Sequence, residues 1–186
     1  MFNASVYLEK VARELRLYSN DSLHASIDML QVAHQNSRNV YLIGNGGSAG
    51  FLAHWEVDWI KGVFLATNKP LNTTSIPSRI GLFTAACNDF SWHEAFQEIL
   101  RMQANPEDIL ISVSSSGESL NVIKATKFAN DNGLKTISLS GFGDTTLSRI
   151  SKVALALPST DMQVIEDCHH VFGHIVLKSF GGECQN

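Results

Sequence analysis

A chain of 186 residues, 44% hydrophobic and 17% charged, is long enough to bury one sizeable core and has the composition of a folded globular protein. Its net charge of −4 gives no support for a nucleic-acid partner, and no apolar run reaches the length of a membrane span. The three cysteines, Cys87, Cys168 and Cys184, are widely spaced and include no CxxC pair, which argues against cysteine-held zinc and for a reducing, cytoplasmic setting.

Along the chain, residues 3–19 and 21–36 read as two helices, the second with Asp21 or Ser22 as its N-cap. The opening segment is amphipathic and carries acids, unlike the uninterrupted apolar core of a signal peptide. "NVYLIG" (39–44) is a short apolar run of strand-forming residues, and a helix is expected from Ser48 to Lys61. "LNTTSI" (71–76) is a weaker strand, and helices follow at 78–87 and 91–104, separated by "CNDFS". "DILISVS" (108–114) is a buried strand and 119–133 a helix closed by Asn132-Gly133. A strand at 135–140, a short helix near 145–150, a strand at 153–158 and a helix over 163–180 complete the pattern, with "GGECQN" a frayed tail. Strands alternating with helices imply a parallel sheet covered on both faces: an α/β three-layer sandwich of five strands, with the helices of residues 3–36 packing outside the sheet core. Ligands in such sheets bind beyond the carboxyl ends of the strands, near a topological switch.

Two strand-to-helix turns carry the chemistry. "GNGGSAG" (44–50) starts like a dinucleotide fingerprint, but Ala49 occupies the third glycine position and no acidic residue ends a second strand about 20 residues on. The second turn, "SVSSSGESLNV", gathers the hydroxyls of Ser114, Ser115, Ser116 and Ser119 around Gly117 at the start of a helix. Unpaired N–H groups and a partial positive charge at a helix N-terminus, joined by hydroxyls, make a cradle for phosphate without a lysine. The bland alternatives are a tight turn for the glycines and a simple helix cap for Ser119. No GK[ST] follows either turn, so neither is a nucleoside triphosphate loop and no nucleotide cofactor is expected.

The two turns in this order, with His54 six residues after Ser48, "CNDF" at 87–90, "SSSGES" at 114–119, and "STD" followed by a last helix bearing His174, resemble the sugar isomerase (SIS) domain over residues 5–180. Within it the chain resembles the phosphoheptose isomerases, which convert sedoheptulose 7-phosphate to glycero-manno-heptose 7-phosphate. The resemblance implies a flavodoxin-like fold, a single SIS domain over 1–186, a phosphorylated-sugar substrate and a homotetramer with sites at subunit boundaries. It places Asn45, Gly46, Gly47, Ser48 and the four serines on the substrate, and Asn88 and Asp89 on the sugar hydroxyls, although these two could instead cap the next helix.

The same resemblance aligns His54, Asp58, Glu166 and His174 with a quartet that holds zinc in some relatives. It makes Asp58 the base or a ligand, His174 the acid, and Glu166 a contact to substrate or metal. Asp58 stands where the family has glutamate, and Glu166 where it has glutamine. Proton transfer between adjacent carbons needs such groups, and a divalent ion suits two carboxylates and two imidazoles. His169 and His170 read as surface or interface residues, Trp55 and Trp59 as core or subunit contacts, and His24, His34 and His93 carry no signal. The competing readings are a non-catalytic adaptor of the same fold, resembling proteins that bind the replication initiator, and a sugar-phosphate-sensing domain; the carboxylate at Asp58 favours an enzyme.

Overall fold

The computed structural model describes residues 3–181, so Cys184 and most of the expected frayed tail lie outside the described residues. Helices α1 (Ala4–Leu15) and α2 (Asn20–Gln35) come first. Ser19, not Asp21 or Ser22, caps α2, its hydroxyl accepting the Ser22 N–H at 3.3 Å; the helix begins one residue earlier than composition suggests. Strand β1 (Val40–Gly44) leads into α3 (Gly46–Val57), a π turn (Asp58–Gly62) and α4 (Val63–Thr67). The helix expected to stop at Lys61 thus runs on through Gly62, whose missing Cβ makes room for Leu177, and ends at Asn68 in the left-handed region with φ 59°.

Strand β2 (Thr73–Ser75) and α5 (Ile80–Asp89) follow; α5 runs two residues past the expected end at 87, taking in Asn88 and Asp89. The remaining elements are α6 (Ala95–Gln103), β3 (Ile109–Ser114), α7 (Leu120–Asp131), β4 (Lys135–Ser140), α8 (Thr146–Ile150), β5 (Val153–Ala156) and α9 (Met162–Ser179). All strands pair in parallel, in the order β2-β1-β3-β4-β5. The order reverses between β1 and β3, so the turns leaving those two strands flank the switch point where such sheets bind ligands.

Alternation along the strands sends side chains to two cores. Val40, Leu42, Ile109, Ile111, Ile137 and Leu139 face one side with Leu52, Trp55 and Phe172, while Tyr41, Ile43 and Leu110 face the other with Phe96, Ile99 and Val122. Of the two N-terminal helices, α1 lies on α9, where Tyr7 donates to Asp167 at 2.6 Å and Lys10 pairs with Asp161 at 2.7 Å. The second comes closer to the sheet than expected: Leu30 and Ala33 of α2 are buried in the first core. No helix among the described residues is long and apolar enough to cross a membrane.

Candidate active site

The glycine turn and the serine turn open at the same level, because Gly44 pairs with Val113 in register. They are tied together by a reciprocal amide pair: Asn45 Nδ2 donates to Asn121 Oδ1, and Asn121 Nδ2 to Asn45 Oδ1, each at 2.9 Å. Between them lies a cavity of about 230 Å³ lined by Asn45, Gly46, Gly47, Ser48, Ser114, Ser115, Ser116, Ser119 and Glu166, together with Val113 and Met162. A larger cavity, about 520 Å³, opens at the opposite end of the strands among Asp28, Arg38, Glu107, Lys135 and Lys152, and holds none of the predicted site residues.

Neither Asn45 nor Ser119 caps its helix through the side chain; in the first turn of α7 the Val122 N–H is taken by Asn121 Oδ1 at 3.0 Å. Ser119 Oγ instead accepts from Ser114 Oγ at 3.1 Å, Ser114 also meets Ser116 at 3.4 Å, and the Gly117 N–H donates to Ser114 Oγ at 3.1 Å. The turn closes tightly because Gly117 has φ 65° and a Cβ there would overlap Thr145. Two helix N-termini and a cluster of hydroxyls around a small void are an arrangement suited to an anion; Ser119 is the N-cap residue of α7, but its hydroxyl belongs to the cluster and does not cap the helix.

Glu166, in the first turns of α9, lies against this cradle. A Cβ on Gly47 would meet its carboxylate oxygens at 2.9 and 3.0 Å. Further along the same two helices, His54 and Asp58 from the α3 side meet His174 from α9. His54 Nε2 lies 3.2 Å from His174 Nε2 and 3.2 Å from Asp58 Oδ2, and His174 Nε2 lies 3.6 Å from the same oxygen. Asp58 sits where the α-helix widens into the π turn, a distortion that recurs at functional sites. The side chains of His54 and His174 are about half exposed, 49% and 48%, so the cluster opens to the surface of the single chain.

These three edges match a tetrahedral metal site. Ligands bound at about 2.0–2.1 Å stand roughly 3.3 Å apart around zinc, and nitrogen with carboxylate oxygen is a donor set zinc accepts. His54, Asp58 and His174 therefore fit a divalent ion, while the carboxylate of Glu166, the fourth member of the expected quartet, lies at Gly47.

The sequence profile of the SIS domain matches residues 5–141. A phosphoheptose isomerase of Helicobacter pylori strain P12 is 33% identical over 91% of this chain and 85% of its own length, and one from Aquifex aeolicus is 30% identical over 80% and 77%. The chain belongs to the SIS domain family, among the phosphoheptose isomerases. A solved phosphoheptose isomerase structure from Francisella tularensis superposes with a TM-score of 0.87 at 20% identity, over 97% of both chains, and shares the fold.

Within this phosphoheptose isomerase frame, two histidines stand elsewhere than composition suggested. His169 is no surface residue: it is fully buried, neither ring nitrogen makes a full hydrogen bond, and burial pushes its pKa down to about 4 against a smaller opposing pull from the Ser140 backbone. His170 turns toward His54 and His174, with ring centroids 5.2 and 5.0 Å away. Its pKa is lowered by burial and by its two histidine neighbours, with Asp58 pulling the other way. The i, i+4 spacing of His170 and His174 was the available signal, the same that marked His54 and Asp58. Asn121, by contrast, could not be found from sequence, since only the fold brings it to Asn45. Asn88 and Asp89 lie exposed at the end of α5, bonded to each other at 2.9 Å, outside the cradle lining; they do not cap α6, whose N-cap is Glu94.

Proposed function

We propose that the chain is a phosphosugar aldose–ketose isomerase that converts sedoheptulose 7-phosphate to D-glycero-D-manno-heptose 7-phosphate through an enediol. One observation carries this reading: an anion cradle and an imidazole–carboxylate cluster occupy successive levels of the same helix pair, α3 and α9. From Gly47 to His54 is seven residues and from Glu166 to His174 eight, a rise of roughly 10–12 Å. An extended seven-carbon sugar phosphate, with C–C bonds of about 1.5 Å, spans roughly that length from its first carbon to phosphorus. Phosphate held by Ser114, Ser115, Ser116, Ser119 and the amides of Gly46, Gly47 and Ser48 puts the carbonyl end beside Asp58 and His174.

There Asp58 removes the proton from the carbon next to the carbonyl and returns it to the neighbouring carbon. Its Oδ2 is committed to the two histidines, which leaves Oδ1 for the proton. His174 serves the oxygens through a ring nitrogen not held by an ion, giving and taking the proton that moves between carbonyl and hydroxyl. Glu166, beside Gly47, accepts hydrogen bonds from sugar hydroxyls, and Asn88 and Asp89 reach the sugar from a neighbouring subunit of a homotetramer. Val57, Ile60, Phe64 and Leu65, exposed next to the site, suit such a subunit contact. A single SIS domain over 1–186, working in the cytoplasm, fits these features.

His54, Asp58 and His174 would hold a divalent ion, zinc by their donor chemistry. When bound, it would polarise the carbonyl and offset the charge of the enediolate. An adaptor has no use for an acid–base cluster aligned with a phosphate cradle, which favours the enzyme. Product analysis by NMR on a panel of heptose, hexose and pentose phosphates tests the reading. Interconversion of the heptose pair is expected; inertness toward every member of the panel, in metal-loaded protein, would refute it.

A further inference from the structure

His54 and Asp58 lie four residues apart on one helix, and His170 and His174 four apart on another, so two i, i+4 pairs face each other where α3 and its π turn cross α9. Among the described residues, His54, His170 and His174 each offer one donor nitrogen, and these three atoms lie within 4.8 Å of one another. The rings form a near-equilateral triangle, with centroid separations of 5.0, 5.2 and 5.4 Å. Asp58 Oδ2 closes the His54–His174 edge.

Packing alone explains this arrangement poorly. Three imidazoles gathered at one point repel one another whenever more than one carries a proton. The Nδ1 of His170 is buried with no hydrogen-bond partner among the described residues, a cost that an aliphatic side chain at this position would avoid. A cation turns the same gathering into an attraction, because it binds the neutral form of every ring. Glu166 does not compete for this place, since its carboxylate lies at Gly47.

We propose that His170 is a ligand of the divalent ion in this chain, so that three imidazoles and Asp58 make up the protein's donor set and Glu166 is left to the substrate. The inference rests on the metal-dependent reading above and goes beyond it in naming the donor. A set with three nitrogens favours zinc, cobalt or nickel over manganese and magnesium, which prefer oxygen.

The full-length protein, stripped with chelator and reloaded with zinc alone, provides the test. X-ray absorption at the zinc edge is expected to count three imidazoles per zinc in the wild type and two in His170→Phe, which keeps an aromatic ring against Phe51. Loss of one outer-shell partner weakens metal affinity by about 10–100-fold, so loss of a ligand should weaken zinc binding by at least that factor. Cobalt loading should give a visible spectrum whose intensity changes in His170→Phe, while the metal-free variant melts no lower than the metal-free wild type. A wild-type count of two imidazoles, which needs no variant, overturns the proposal, as does unchanged zinc affinity in His170→Phe; in both cases the metal site itself stands. Wild-type protein that binds no zinc at all would instead remove the metal-dependent reading and this inference with it.

Discussion

The indole N–H of Trp59 donates to the backbone carbonyl of Gly173 over 2.9 Å, and a Cβ on that glycine would overlap the ring of Trp55. Gly173 thus fixes how closely α9 approaches the α3 side, and it immediately precedes His174. The stacked pair Trp55 and Trp59, with centroids 5.3 Å apart, is rigid and fully buried, so it cannot move aside for a methyl group. Gly173→Ala is expected to cost about 1–3 kcal/mol in a urea melt, as overpacked cores do. It should also reduce turnover by more than its stability loss explains, because His174 is pushed away from Asp58. A variant with wild-type stability and turnover would show that the two helices are not held at this point.

Ser119 is the N-cap residue of α7, but its hydroxyl bonds to Ser114 and makes no cap hydrogen bond. A hydrogen bond to a charged group is worth about 1.5–3 kcal/mol, which is tenfold or more in affinity. Ser119→Ala should raise the Kd for sugar phosphate at least about tenfold and leave the melting temperature unchanged. Calorimetric titration with unchanged affinity would take the serine turn out of the phosphate site.

The fold was legible in the sequence because its signals are local. Apolar strand runs such as "DILISVS" and the turn glycines carry their information within a few residues, and β1, β3 and β4 fall where expected. The site was legible only where it is built from one stretch of chain. Ser114–Ser119 and Gly46–Ser48 could be read directly, but Glu166 and His170 could not be sorted. Both lie in α9, and only the angle and depth at which that helix crosses α3 decides which one faces the cradle and which the histidines. The π turn at Asp58 was equally hidden, since its composition is that of an ordinary helix.

Asp58 and His174 should matter for turnover far more than for folding, since both are accessible and neither anchors the core. Asp58→Asn keeps the size of the side chain and removes the basic oxygen; His174→Ala removes the acid. Each should lower kcat by about 10²–10⁴-fold. Denaturant melts should remain cooperative. Robust turnover in either variant would show that the acid and base lie elsewhere.

His169 sets an acid limit on stability. Its pKa is near 4 in the folded protein, against about 6.5 when the chain is unfolded. Between these values the unfolded chain binds the extra proton, so stability is complete above about pH 6.5 and falls as the pH drops toward 4. The full effect is on the order of 3 kcal/mol. Urea melts of metal-free protein in chelator, from pH 7 to pH 4.5, should show a steeper decline for wild type than for His169→Leu. Parallel curves would mean that the ring is solvated or paired in solution.

Glu166 separates the two levels of the site. A carboxylate whose oxygens sit against Gly47 and line the cavity between the two turns opposes the charge of a phosphate bound there, and in the proposed reaction it meets substrate hydroxyls. Glu166→Gln keeps the shape and the acceptor oxygen and removes the charge. It should therefore lower the Kd for inorganic phosphate several-fold. Because the carboxylate lies at Gly47, the same substitution should leave zinc stoichiometry and affinity as they were. Binding of zinc that weakens tenfold or more in Glu166→Gln, with phosphate affinity unmoved, would return this carboxylate to the metal and show that α9 sits differently against α3 in solution.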